Sequence, residues 1–503
     1  MTTSAPPAPR PTDGPPSRPA GPYPQQLHRT MGRFASFAAG FSFISVLTTV
    51  FQLFAFGYGF AGPAFFWSWP LVLGGQLLVA ACFAELAARY PISGAIYQWA
   101  SRLGSAGYGW FTGVLMVLGQ IVVVTAAALA LQVVLPSLWS GFQLIGGESA
   151  LDTPTGAANA VLLGGALIAL TTLVNVLDNR VLSVVNGIGV TAELVGIALI
   201  VVLLLTHAER TPTVVLHTGH SGGGYLGAFL VGSFTAAYVL IGFDSAGELS
   251  EETVDPRRTA PRTILTALLA AGAGGGLLLL GGLLAAPSLT DGRLATDGLS
   301  YVLTSTLGDG PGRALLADVA VAICVGTLAM QTAGARMLFS MARDGVLPGS
   351  RRLAAVSPRT GMPSAAATAV GVLAVGFLLV NLAAPNAFLA LETTCIALVY
   401  TAYSLVVGAA LVRRLRGLPL GPAYAPAVDE RGRPLFSLGR WGLPVNALAL
   451  LYGAAMTVNL AWPRAAVYDP TGGHWYLRWF TVLTVAAALL LGTAYRLATT
   501  RRR

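Results

Sequence analysis

Long apolar runs separated by short polar connections fill the chain from residue 34 to residue 497. A bilayer-spanning helix needs about 20 predominantly apolar residues. Twelve stretches meet that length: 34–56, 65–88, 107–135, 157–177, 181–206, 225–249, 262–286, 314–342, 363–383, 386–412, 442–462 and 475–497. The longest connections, 287–313 and 413–441, are too short and too polar to fold as domains. The pattern therefore predicts an all-α membrane protein with twelve transmembrane helices. Residues 1–33, rich in Pro, Ala, Gly and Arg, read as a disordered cytoplasmic tail. They carry no signal-peptide pattern, because the first apolar run comes late and is long. Residues 498–503 read as a short basic tail, and Gly222-Gly223-Gly224 as a flexible connector.

Composition fits a bilayer. Hydrophobic residues make up 54% of the 503 and charged residues only 10%, against roughly 25% charged in soluble domains. All 30 basic residues are arginine, and their placement orients the chain. With the N-terminus inside, 24 arginines fall on inside segments and five outside, at Arg210, Arg293, Arg313, Arg464 and Arg478. Arg336 lies within a span. Loops rich in Arg face the cytoplasm, so both termini are expected inside, and an odd number of spans would spoil the bias. The net charge of +9 is spread over these loops and gives no nucleic-acid patch. Cys82, Cys324 and Cys395 lie far apart in apolar segments, and the five histidines fall in loops. Neither set has metal-ligand or disulfide spacing. There is no Walker sequence and no nucleophile elbow. No cofactor and no enzyme activity are expected.

Candidate chemistry lies in acids within or at the ends of spans, since ionisable groups at membrane depth mark substrate or ion paths by default. Glu193 is the deepest, 12 residues into the fifth span, roughly 18 Å along a helix. It shares a face with Asn186, Gly189 and Gly196, a small and polar stripe of the kind that packs on other helices. It reads either as a proton carrier or as a protonated structural group. Asp244 sits in Gly242-Phe243-Asp244-Ser245-Ala246-Gly247, where two glycines weaken the sixth span. Interrupted helices hold substrate in transporters. The alternative is a salt bridge, or a cap for the helix that resumes at Glu248. Glu251, Glu252 and Asp255 read as a solvated helix end. Glu85 reads as a snorkelling charge or a local partner of Arg89, and Asp318, near Arg313, as structural. Glu392, a turn or two into the tenth span, is left between a structural role and a vestibule or gating one.

Three motifs, spread over most of residues 34–412, carry a family resemblance. The first runs from Ser45-Val46-Leu47-Thr48-Thr49 through Ala61-Gly62-Pro63 and Ala84-Glu85-Leu86 to Tyr90-Pro91-Ile92-Ser93-Gly94-Ala95-Ile96-Tyr97 and Trp99. The second is Gly242-Phe243-Asp244 through Glu251-Glu252-Thr253 to Pro256-Arg257-Arg258-Thr259-Ala260-Pro261. The third is Arg336-Met337-Leu338-Phe339 with Met341-Ala342-Arg343-Asp344-Gly345-Val346-Leu347-Pro348. In this order the chain resembles the amino acid–polyamine–organocation (APC) permeases, nearest the branch that carries amino acids, GABA and choline. The resemblance implies a LeuT-type fold. Its transport core would be 34–412, with inverted repeats over 34–206 and 225–412 and two peripheral spans over 442–497.

It also implies a site. Ser45, Leu47, Thr48 and Thr49 fall on the first-span segment whose backbone N–H groups bind the substrate carboxylate. Tyr238 falls on the sixth-span aromatic gate. Carbonyls of Tyr238, Val239 and Ile241, beside Gly242, would receive the substrate amine. Thr48-Thr49 stand where relatives have glycine, which narrows the backbone nest. Glu193 stands where many members carry a sodium-mimicking lysine, so Glu193 and Asp244 become the candidates for proton coupling. The expected function is a permease of the cell inner membrane that takes up an amino acid or small amine by proton symport. The alternatives are an exchanger or exporter, or a permease-like ligand sensor.

Overall fold

The computed structural model describes residues 27 to 500 apart from 28, 178, 219–223, 384–387, 422–427, 429–431 and 470–471. Most of the expected N-terminal tail, Gly222-Gly223 of the expected connector, and Arg501–Arg503 lie outside the described residues.

Among the described residues the fold is helical. In chain order the helices are α1 (Arg33–Ile44), α2 (Val46–Ala61), α3 (Ser68–Arg89), α4 (Ala95–Leu103), α5 (Ala106–Leu138), α6 (Pro154–Leu177) and α7 (Asn179–Thr206). Then come α8 (Tyr225–Val239), α9 (Ser245–Glu248), α10 (Pro256–Ala285), α11 (Arg293–Thr296), α12 (Gly298–Leu307), α13 (Asp309–Arg343) and α14 (Ser350–Leu353). The last are α15 (Ser364–Ala383), α16 (Phe388–Leu415), α17 (Gly442–Ala461), α18 (Ala465–Tyr468), α19 (Trp475–Arg478) and α20 (Phe480–Thr500).

Among the described residues 11 helices are long and apolar enough to cross a membrane, with α1 and α2 counted as one. The predicted sixth span, 225–249, is divided. Its first part is the 15-residue α8, followed by a non-helical stretch and the single turn α9. The 287–313 connection, read from sequence as a polar loop, contains the short helices α11 and α12, and the polar stretch after the second span contains α4.

Burial separates centre from periphery. The most apolar 18-residue window of α5 is 89% buried and that of α1–α2 83%, against 33% for α17 and 17% for α20. The central elements pack on one another: α13 on α5, α7 and α1, α10 on α3 and α1, and α2 on α8. Their mutual burial leaves α17 and α20 apolar on the outside, which in a bilayer is a lipid-facing surface rather than a fault.

Candidate functional site

Two helix breaks form the centre of the molecule. The first is a single residue. Ser45 has φ 42°, in the left-handed region, and ends α1 through its N–H to Phe41 O at 2.9 Å. A non-glycine residue there costs on the order of 1–3 kcal/mol and persists only where its surroundings fix it. Its side chain is so fixed, lying 2.6 Å from Thr48 Oγ1. It lies 3.4 Å both from Glu193 Oε1, to which it donates, and from Ala322 O.

The second break follows α8. The last backbone bond there is Leu240 N–H to Ala236 O, so the helix has ended when the chain reaches Gly242 at φ 88°. Gly242 lies against the first span: a Cβ at this position would sit 1.8 Å from a ring carbon of Phe43. Its N–H donates to Tyr403 Oη at 3.1 Å. The Tyr403 hydroxyl in turn donates to Asp244 Oδ1 in a short hydrogen bond. Asp244 has no cationic partner among the described residues and makes no side-chain cap for α9. The tyrosine bond replaces both the salt bridge and the cap weighed from sequence.

The acids at these breaks are buried and incompletely paired. Glu193 is 1% exposed. Its Oε1 accepts the Leu47 N–H at 3.1 Å, while Oε2 has no partner. The small-residue face of α7 meets α13 as expected, with Gly189 against Val325 and Gly196 against Asp318. Glu248 has no regular hydrogen bond to either oxygen, although the N–H groups of Gly94, Ala95 and Ile96 face it. Glu392 accepts a short hydrogen bond from Gln52 Nε2 and leaves its other oxygen unpaired.

The predicted substrate residues divide between the two breaks. Ser45, Leu47, Thr48 and Thr49 gather at the first, with Glu193. Tyr238, Val239, Ile241, Gly242 and Asp244 gather at the second. All are buried, and the Tyr238 hydroxyl has no hydrogen-bond partner. Tyr403 and Gln52 were not expected. No motif marks either, and only their polarity within apolar runs could have drawn attention to them.

One sequence reading is corrected and two are extended. Glu251 and Glu252 are not a solvated helix end. Glu252 pairs with Arg336 at 2.8 Å, with the arginine fully buried, and Glu251 pairs with Arg343 at 2.8 Å. Glu251 also accepts the Ser93 N–H at 3.1 Å. These bonds tie the end of the divided span to α13 and to the start of α4. Asp255 is exposed, as expected of a helix end. Asp318 does not lie with Arg313, which pairs with Asp309 one turn away; the register of α13 turns Asp318 towards α7. Glu85 does more than pair with Arg89, 4.0 Å away. It also binds Arg414 of α16 and accepts from Ser437.

Two interrupted helices packed break to break, inside a bundle of apolar helices, describe a transporter rather than an enzyme. Residues 31–487 match the amino acid permease family. The chain belongs to that family. It is 26% identical over 470 residues to the amino-acid permease BAT1 of Arabidopsis thaliana, covering 88% of this chain and 87% of that one. It is 27% identical over 408 residues to the branched-chain amino acid permease BcaP of Lactococcus lactis, covering 77% and 84%. It is also 24% identical over 483 residues to the thiamine transporter thi9 of Schizosaccharomyces pombe, covering 87% and 78%. The protein is thus a multi-pass membrane transporter of the amino acid permease family.

Proposed function

We propose that this permease takes up an amino acid or a related small amine by proton symport across the cell inner membrane, with both termini cytoplasmic. The observation that carries this reading is the pair of abutting breaks, each with a buried carboxyl that lacks a cation partner. The α8–α9 pair completes a twelve-span topology, and spans 1–5 and 6–10 form inverted repeats. Substrate lies between the breaks. Its carboxylate is held by the N–H groups of Leu47 and Thr48, beside Ser45 and Thr49. Its amine is held by carbonyls of Tyr238, Val239 and Ile241 next to Gly242, with the Tyr238 ring closing over it. Glu193 and Asp244 carry the proton.

A carboxylate in a low-dielectric interior without a counter-charge is costly. Such a group takes up a proton when one side opens and releases it when the other does. Two relatives are named for amino acids and one for thiamine, which supports a small amine-bearing substrate. The test is uptake into proteoliposomes. An inside-alkaline pH gradient should drive radiolabelled substrate above its outside concentration, and a proton ionophore should abolish the gain. Uptake that needs internal substrate and ignores the gradient means exchange. Binding with no flux under any gradient means a sensor.

A further inference from the structure

α2 begins inside the protein, and the N–H groups of its first turn have no intrahelical acceptor. Such a terminus attracts anions. Here a carboxyl from the protein already occupies it. The Glu193 carboxyl takes the Leu47 N–H at 3.1 Å and the Ser45 hydroxyl at 3.4 Å, and the Val46 N–H faces it too. Its second oxygen is buried and unpartnered.

Building on the symport reading, we propose that Glu193 is a resident competitor for the ligand's carboxylate: protonation of Glu193 hands the α2 amides to a carboxylate-bearing ligand. With Glu193 ionised, the Leu47 N–H makes a charge-assisted bond to it, roughly twice as strong as a neutral one. A second carboxylate arriving there meets like-charge repulsion in a poorly screened interior. One proton on Glu193 turns its Cδ–O⁻ into a hydroxyl, removes that repulsion and leaves only a weak neutral acceptor on the amide. The ligand's carboxylate then takes the N–H. One negative charge stands at the α2 terminus before and after. Proton and ligand enter as a unit because each vacates or fills the same place.

The surroundings allow this exchange. Asp318 of α13 faces the same stripe of α7, its buried oxygen packed without a partner on Gly196, one turn from Glu193. A second acid sharpens the need for a proton rather than relieving it. α1, α6, α10 and α12 also pack on α7, and none of them gives Glu193 Oε2 a hydrogen-bond partner among the described residues.

The experiment is equilibrium binding to the purified full chain in nanodiscs over about pH 6 to 9, a range that spans both protonation states of a buried carboxyl. Matched probes differ only in the carboxyl: L-leucine and 3-methylbutylamine, L-arginine and agmatine, 4-aminobutyrate and propylamine. The carboxylate-bearing member that binds should gain affinity as pH falls, by up to about tenfold per pH unit for one linked proton. Its carboxyl-free counterpart should show no such gain. In Glu193→Gln the carboxylate-bearing member should bind at every pH as it binds wild type at low pH. Glu193→Met provides the same comparison if the amide variant does not fold. Retention of the wild-type pH slope in both variants overturns the proposal, as does an equal slope for the carboxyl-free probe. If binding is flat with pH while a proton gradient still drives uptake, symport stands and the competitor role falls. If the gradient drives nothing, the symport reading falls and takes the exchange with it.

Discussion

Arg336→Met should be among the most damaging single changes in this chain. Arg336 is fully buried, and its guanidinium reaches both oxygens of Glu252, at 2.8 and 3.2 Å. Removing it strands a carboxylate in the interior. Breaking a buried pair from one side costs about 3–5 kcal/mol, most of it the penalty on the charge left behind. Thermal unfolding in detergent should show a marked drop for Arg336→Met. The double variant Arg336→Met with Glu252→Gln should recover much of it, because no charge is then unpaired. Wild-type thermal stability of the single variant would mean that the pair contributes little.

Gly242→Ala should abolish transport without removing any polar group. The position has φ 88°, which costs an L-residue on the order of 1–3 kcal/mol. The added Cβ would also lie 1.8 Å from the Phe43 ring. The chain must move there, and the two breaks then part by roughly the width of a methyl group. Substrate held between them needs both edges, so uptake should fall to the level of empty vesicles while some folded protein is still recovered by size exclusion. Phe43→Ala in addition should relieve the clash but not the strained φ, and so restore only part of the rate. A folded Gly242→Ala protein with wild-type uptake would show that the 240–244 stretch is not at the site.

The parts legible in the sequence were those that depend on local pattern. Apolar runs of bilayer length gave the long helices, and Gly242 and Gly247 marked the divided span. The spacing of Asn186, Gly189, Glu193 and Gly196 marked the face of α7 that meets α13. The parts that were not legible depend on partners far along the chain. Glu252 and Arg336 are 84 residues apart and Glu251 and Arg343 are 92 apart, so a run of acids after a span looked solvated. Asp318 was read as structural at the outer end of its span, near Arg313. The structure instead turns it to a glycine on another helix, a choice made by helix register and tertiary packing. The break at Ser45 carries neither glycine nor proline at its kink, and only the family resemblance drew attention to it. Gln52 and Tyr403 are single polar residues in apolar helices, and nothing local distinguishes a site residue there from a structural one.

On the symport reading, the carboxyl at the first break carries the proton that drives accumulation. Glu193→Gln, reconstituted and well folded, tests it most directly when exchange and pH-driven accumulation are measured on the same vesicles. The variant should exchange internal for external substrate at near the wild-type rate and accumulate none when the pH gradient is imposed. Accumulation against the substrate gradient by Glu193→Gln, driven by the pH jump, would contradict it and leave Glu193 a structural residue.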